Sequence, residues 1–361
     1  MTPIATRTTT ATSHVATTPA TDVTAPVGAR TGYGVSVVIP TRRGRYPHQV
    51  LDFLTQTTYD GEVEIVIVEG SSPSLQRNEA VRQCNADIVY FLDDDSYVSP
   101  AAITEGTKIL SDSRIAVVGG PALTYENASI FELCIGEAFS SIFGGCITRG
   151  RAKPMGKVRL VEGEELVLCN LMMRKSAYLE ASGLRTTLYP GEDPEMVKRL
   201  RRRGELICYH PGMIVSRTRR KTIKAFVKQC FAYGSGRGQH ICEGTRARDL
   251  LFLVPSAFLI YLFAFACTPN LVTAIPLIAY AVLAYLSASF IGFINRSLPM
   301  ALYMMPIFFI MHCSYGAGLI FGLVSYGLKL QRKRSSEIKI TLLPLSQVES
   351  HSREFVSNDC N

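Results

Sequence analysis

Tryptophan is missing from all 361 residues, so every recognition motif that needs an indole is excluded. The ten cysteines are scattered and include no C-x-x-C pair. Neither a zinc-ligand spacing nor a disulfide framework is indicated, and reduced thiols in a cytosol-facing protein are the simpler reading. The opening residues have no apolar core of the signal-peptide kind, and too few arginines for a typical transit peptide. Rich in Thr, Ala and Pro, residues 1–33 bury too little surface to offset their ordering entropy and are expected to be disordered. The long apolar stretches near the C-terminus carry almost no ionisable residues, which argues against a coupled transporter.

What is present begins with charge. A formal net charge of +8 and a pI near 9.0 favour anionic partners: phospholipid, sugar diphosphate or nucleic acid. No aromatic-and-basic motif accompanies the charge, so nucleic acid is set aside. From Val35 to Val118 short β-rich runs alternate with helix-compatible stretches. Strands are expected at Val35–Pro40, Val63–Val68, Ile88–Leu92 and Ile115–Val118, with helices between them. Such alternation implies βαβ units and a parallel sheet, an α/β architecture of the Rossmann-like, nucleotide-binding kind. Further on, Leu166–Met173 reads as a buried strand. A helix is expected after Glu192-Asp193, with Pro194 in its first turn and Lys198–Arg203 near its end.

Past Asp249 three stretches approach the length needed to cross hydrocarbon: 250–267, 271–294 and 300–328. Basic residues before the first place the preceding part in the cytoplasm. The run from Arg217 to Lys228, just ahead of the membrane, is expected to touch anionic headgroups. Three full spans would leave Arg332-Lys333-Arg334 outside. The last stretch, holding Pro306, Gly316, Gly318 and Gly322, is therefore expected to be broken or re-entrant, returning a polar tail, 329–361, to the cytoplasm. The organisation read from sequence is thus 1–33 disordered, 34–248 catalytic, 249–328 membrane helices, then the tail, in a multi-pass protein of the cell membrane.

The stretch that organises the chain is Phe91-Leu92-Asp93-Asp94-Asp95-Ser96. Asp93, Asp94 and Asp95 fall where a buried strand leaves the core, which is where open α/β sheets bind ligands. Three adjacent carboxylates repel one another unless a cation neutralises them; a solvated acidic turn is the plainer alternative. Glu192 and Asp193 likewise read either as catalytic acids or as first-turn acids favoured by the helix dipole.

Taken in order, Val37-Val38-Ile39-Pro40-Thr41, Glu69-Gly70-Ser71-Ser72, Asp93-x-Asp95, Gly191-Glu192-Asp193 and Tyr233-Gly-x-Gly-Arg237 resemble glycosyltransferase family 2. These are inverting enzymes with a GT-A (nucleotide-diphospho-sugar transferase) fold, and the closest subgroup in kind is membrane-anchored, acting in exopolysaccharide and lipid-linked-sugar synthesis. The resemblance covers roughly Val35 to Gln239. It implies that Pro40 and Thr41 line the nucleotide pocket, that Glu69 (usually aspartate) holds base or ribose, and that Arg77 belongs to the same site. It also implies that Asp93 and Asp94 contact the nucleotide sugar, that Asp95 with Asp93 holds Mg²⁺ or Mn²⁺, and that Asp193 is the catalytic base, with Glu192 the alternative. Arg237 is expected to pair with diphosphate oxygens. The implied partners are a UDP- or GDP-sugar, a lipid-linked glycan acceptor and membrane lipids. Processive members carry Gln-x-x-Arg-Trp where this chain has Gln229, Tyr233 and Arg237; lacking tryptophan, it is expected to add one sugar or a few. An inactive membrane scaffold on a transferase fold is the competing reading.

Overall fold

The structure, a computed structural model, describes residues 5–11, 33–188, 190–244, 247–328, 336–348 and 350. In chain order, β1 (Ala5–Ala11) is followed by β2 (Tyr33–Thr41), α1 (His48–Leu54), β3 (Glu62–Glu69), α2 (Pro73–Gln83) and β4 (Ile88–Leu92). Next come β5 (Ser96–Val98), α3 (Ala102–Leu110), β6 (Ile115–Gly119), β7 (Ala122–Thr124), α4 (Ile130–Ser140), α5 (Ile142–Gly145) and a 3₁₀ turn at Cys146–Arg151. The middle holds β8 (Arg159–Leu160), β9 (Asn170–Arg174), α6 (Lys175–Glu180), α7 (Glu192–Arg202), β10 (Leu206–Tyr209) and β11 (Val215–Arg217). A long helix α8 (Ile223–Cys242) precedes α9 (Val254–Cys267), α10 (Leu271–Ile294), α11 (Leu298–Gly327) and a last strand β12 (Ser336–Pro344).

The main sheet runs β1-β12-β3-β2-β4-β9-β6-β10-β8. β3, β2 and β4 are parallel, so their carboxyl ends share one edge. Their Val- and Ile-rich sequences suit burial on both faces. Alternate residues feed two cores: Val38, Val66, Val89 and Phe91 on one side, Val37, Ile39, Ile65 and Leu92 on the other. The sheet departs from the all-parallel expectation, because β9 is antiparallel to both β4 and β6 and β12 is antiparallel to β3. Fully buried Asn170, at the start of β9, explains the insertion. Its amide donates to the carbonyls of Pro121 (2.9 Å) and Met213 (2.7 Å) and accepts from the Tyr90 hydroxyl (2.8 Å). The strand expected at Leu166–Met173 starts only at Asn170; Leu166 and Leu168 are buried without being in a strand, since an apolar run reports burial rather than conformation.

A smaller sheet, β5-β11-β7, lies past the carboxyl end of β4. In it Arg217 sits directly across from Ser96, one residue beyond the aspartates.

Three helices, Arg248–Cys267, Leu271–Ile294 and Leu298–Gly327, are long and apolar enough to cross a membrane. They expose many large apolar side chains, Phe263 and Phe293 among them. The last is one continuous helix through Pro306, which corrects the expectation of a break there. Its glycines are contact points: a Cβ at Gly318 or Gly322 would collide with the α8 carbonyls of Phe231 and Ser235. Membrane-type helices use small residues in this way for close approach.

The expected polar tail is also corrected in part. Ser336–Pro344 forms β12, burying Ile338, Ile340 and Leu343, each burial contributing about 1.5–3 kcal/mol. Ala5–Ala11, inside the segment expected to be disordered, pairs with β12; its run of β-branched threonines suits an edge strand. The remainder of 1–32 and the end of the tail lie outside the described residues.

Candidate active site

The parallel run β3-β2-β4 brings Glu69, Thr41 and the aspartate triplet to one edge. Thr41 is in register with Glu69, and Pro40 with Val68. The Thr41 carbonyl accepts from the Gly70 N–H (3.0 Å) and the Gln76 amide (2.8 Å), which fixes the two loops against each other. Its hydroxyl is buried without a hydrogen-bond partner among the described residues. The Glu69 carboxylate accepts from the Gly44 N–H at 3.0 Å and pairs with Lys339 at 3.1 Å.

Repulsion within the triplet is answered by arginines. Buried Arg77, on α2, pairs with Asp93 at 2.6 Å. Arg217 reaches Asp93 at 3.0 Å and Asp95 at 3.8 Å, and Arg45 reaches Asp94 at 3.2 Å. Burial pulls the Arg217 guanidinium toward neutrality, but Cys169, Asp93 and Asp95 outweigh it and keep it charged. Burial raises the Asp94 carboxyl; Arg45 opposes this, while Asp95 and Asp93 add to it. The Thr218 hydroxyl donates to Asp95 Oδ2 at 3.3 Å, while Asp95 Oδ1 is buried with no hydrogen bond among the described residues.

The second acid pair opens α7. Gly191 precedes it at φ +130°, a conformation reserved for glycine, and packs against Gly236 and His240 of α8. His240 Nε2 lies 2.5 Å from the Gly191 carbonyl. Burial, then Arg237, push this imidazole down to about 4, so it is neutral at pH 7 and donates through Nε2–H. The Glu192 carboxyl is buried, accepts from the Gly191 N–H at 2.9 Å, and is raised to about 7, first by burial and then by Asp193. Asp193 instead pairs with Arg151 at 3.5 Å and faces a cavity.

That cavity, about 570 Å³, is the feature the sequence did not disclose. Its lining combines Asp193, Arg151, Arg217, Arg219 and Arg237 with Phe143, Phe258, Tyr280, Met311 and Tyr315 from the apolar helices and α5. Arg217 therefore joins the two acid groups: it touches Asp93 and Asp95 and shares a cavity wall with Asp193. Arg237 lies with its guanidinium 3.8 Å above the Phe252 ring. Arg219 is held by the Ala122 carbonyl (2.8 Å) and Thr124 (3.0 Å); burial and then Arg217 bring it down to about 10.

Arg217 and Arg219 stood in the run expected at the membrane surface, yet both turn inward, while Arg220, Lys221, Lys224 and Lys228 are exposed. The strand pattern Val215-Ser216-Arg217, which sends Val215 into the core, was the available signal. Arg151 had none. His210 closes a turn, its Nδ1 accepting from the N–H groups of Gly212 and Met213 at 3.1 Å.

The sequence pattern described as "Glycosyltransferase like family 2" matches residues 29–236, more than half of the chain. The protein belongs to glycosyltransferase family 2. Its α/β sheet is the family's GT-A-like domain, followed by apolar helices. Among solved structures, the transferase is similar to S. aureus TarS 1–349 in complex with UDP-GlcNAc, at 12% identity and TM-score 0.42, over 83% of this chain and 93% of that one. S. aureus TarS at greater length gives the same identity and TM-score over 81% and 55%. TarS 1–349 in complex with UDP gives 13% and 0.41. A search of curated proteins found no match.

Among the described residues no group of three or more His, Cys, Asp or Glu is arranged to hold a metal ion. An octahedral cation that keeps its waters and takes diphosphate oxygens needs only one or two carboxylates. Asp95, with its orphaned oxygen, and Asp93 beside it fit that smaller demand.

Proposed function

We propose that this transferase moves a sugar, with inversion, from a UDP- or GDP-sugar to a lipid-linked glycan at the cell membrane, in cell-surface polysaccharide synthesis of the exopolysaccharide type. The observation that carries this reading is the continuity of the cavity, from Asp193 and four arginines to the apolar helices. A ligand that satisfies both kinds of lining has an anionic head and a hydrocarbon tail.

Inversion at an anomeric carbon is a single in-line displacement. Asp193, paired with Arg151, accepts the proton of the acceptor hydroxyl as the bond to the sugar forms. Glu192, buried and accepting from the Gly191 N–H, is not among the residues that line the cavity and serves to shape the turn. Arg77 and Arg217 hold Asp93 and Asp95 in place at the donor edge, where Pro40, Thr41 and Glu69 face the nucleoside and Asp94 completes the acidic turn. Asp95 and Asp93 would hold Mg²⁺ or Mn²⁺, which when bound would supply charge neutralisation for the departing nucleoside diphosphate. Arg237, Arg151 and Arg219 supply cations for acceptor phosphate.

Topology bears on placement. β12 follows α11 yet belongs to the sheet that precedes α8, so on this reading two of the three apolar helices are complete crossings and the third returns to the same side. The tail strand and the catalytic sheet share one side, which the basic residues ahead of α9 favour as cytoplasmic.

The test is release of nucleoside diphosphate by purified full-length protein in nanodiscs, offered UDP-, GDP- and dTDP-sugars with Mg²⁺ or Mn²⁺ and a polyprenyl-phosphate-linked acceptor. Turnover is expected with one donor class and only when the lipid acceptor is present. Equal turnover on a water-soluble acceptor lacking the lipid would remove the membrane-acceptor half of the proposal.

A further inference from the structure

The C-terminal strand does more than complete the sheet. β12 lies antiparallel on β3 with Lys339 directly across from Glu69, and the Lys339 ammonium meets the Glu69 carboxylate at 3.1 Å. Two residues earlier on the strand, Glu337 pairs with Arg43 at 2.6 Å, and Arg43 also donates to the Glu337 carbonyl. Arg43 and Gly44 form the loop after β2, and the Gly44 N–H holds the second Glu69 oxygen. Thus a segment that follows all the apolar helices reaches back and fixes both the loop and the acid at the donor edge. Lys339 is half-exposed, and surface pairs of this kind add little to stability. The strand is held by its buried isoleucines. The polar contacts are therefore free to serve position rather than stability.

We infer that β12 is a specificity-determining wall of the donor site, with Lys339 as the positioning residue that aims the Glu69 carboxylate at the nucleoside. This rests on the donor reading above. The chemistry narrows what Glu69 can recognise. Each of its oxygens already accepts one donor and keeps one lone pair. An ionised carboxylate accepts only, so its ligand must present N–H or O–H groups, which are the ribose diol or a base N–H. Both Lys339 and the Gly44 N–H are needed to keep the two oxygens in a forked orientation toward a diol.

The experiment is titration of full-length protein in detergent with UDP and GDP, and with the 2′-deoxy counterpart of whichever binds. Wild type is expected to prefer the ribonucleotide. Lys339→Met is expected to weaken that nucleotide about tenfold, the scale of one charge-assisted hydrogen bond, and to erase the ribo-over-deoxy preference. A strand that mattered only for folding would not alter the preference. Glu69→Gln reads the same contact from the other side should Lys339→Met fold poorly, and the double variant should lose no more than the worse single one. Wild-type affinity and preference in folded Lys339→Met would overturn the inference and leave the donor reading intact. Failure of wild type to bind any nucleoside diphosphate would overturn both.

Discussion

The proposed donor edge and the proposed acceptor cavity are built by opposite means. At the donor edge, acids sit on the ends of adjacent parallel strands, and each meets a cation from a nearby loop, helix or strand: Arg77 on Asp93, Arg45 on Asp94, Lys339 on Glu69. In the cavity the excess is reversed, with four arginines gathered around the single carboxylate of Asp193. The first arrangement is close to neutral before any ligand binds and suits a ligand that brings its own cation and hydroxyls. The second is electropositive and suits a phosphate head. Arg217 belongs to both, and the comparison is broken or sharpened most directly through the groups at that junction.

The largest effect is expected at Asp193. Asp193→Asn keeps the shape and removes the base, so kcat should fall by about 10²–10⁴ while nucleotide affinity, measured by titration, stays within twofold or so of wild type. Equal losses in donor binding would assign Asp193 to the donor edge instead.

Arg217→Met tests the junction. It removes the partner shared by Asp93 and Asp95, and stripping one member from a buried ion network costs about 3–5 kcal/mol. Thermal melting should drop by several degrees and donor affinity should fall with it. Retention of both would mean that Arg77 alone holds the triplet.

The contrast between the two regions also explains what the sequence allowed one to read. Asp93, Thr41 and Glu69 were legible because a strand's end is a local property: an apolar run stops and the next residue is at the edge. Even Arg77 lies on the helix that follows directly. The cavity draws on the 3₁₀ turn at Arg151, on β11, on α8 and on the apolar helices, which are remote in sequence and meet only through tertiary packing. Arg217 and Arg219 therefore read as part of a solvated basic run. Lys339 was hidden for the same reason, since pairing β12 to β3 closes a loop that contains about three quarters of the chain.

Bulk at the cavity mouth separates the two sites more gently. Ile142 is 72% exposed and lines the cavity, so Ile142→Trp adds volume without disturbing a core. The KM for lipid acceptor should rise about tenfold and donor affinity should not change. A shift in donor affinity alone would show that the cavity belongs to the donor.

The smallest effect lies in the turn that carries Asp193. Glu192 has a folded-state value near 7 against about 4.5, so its contribution to stability is complete below the unfolded value and is lost as pH rises through 7. His240 is displaced the other way, to about 4 from 6.5. Its contribution is complete above 6.5 and is lost as pH falls toward 4. Between roughly pH 4.5 and 6.5 the two slopes oppose each other, and wild-type melting temperature should be nearly flat there. Glu192→Gln leaves the histidine slope, so melting temperature should rise with pH across that window. His240→Gln leaves the carboxyl slope, and it should fall. Parallel trends in the two variants would mean that the Gly191 turn is not held between these groups, and that Asp193 is positioned by Arg151 and the first turn of α7 alone.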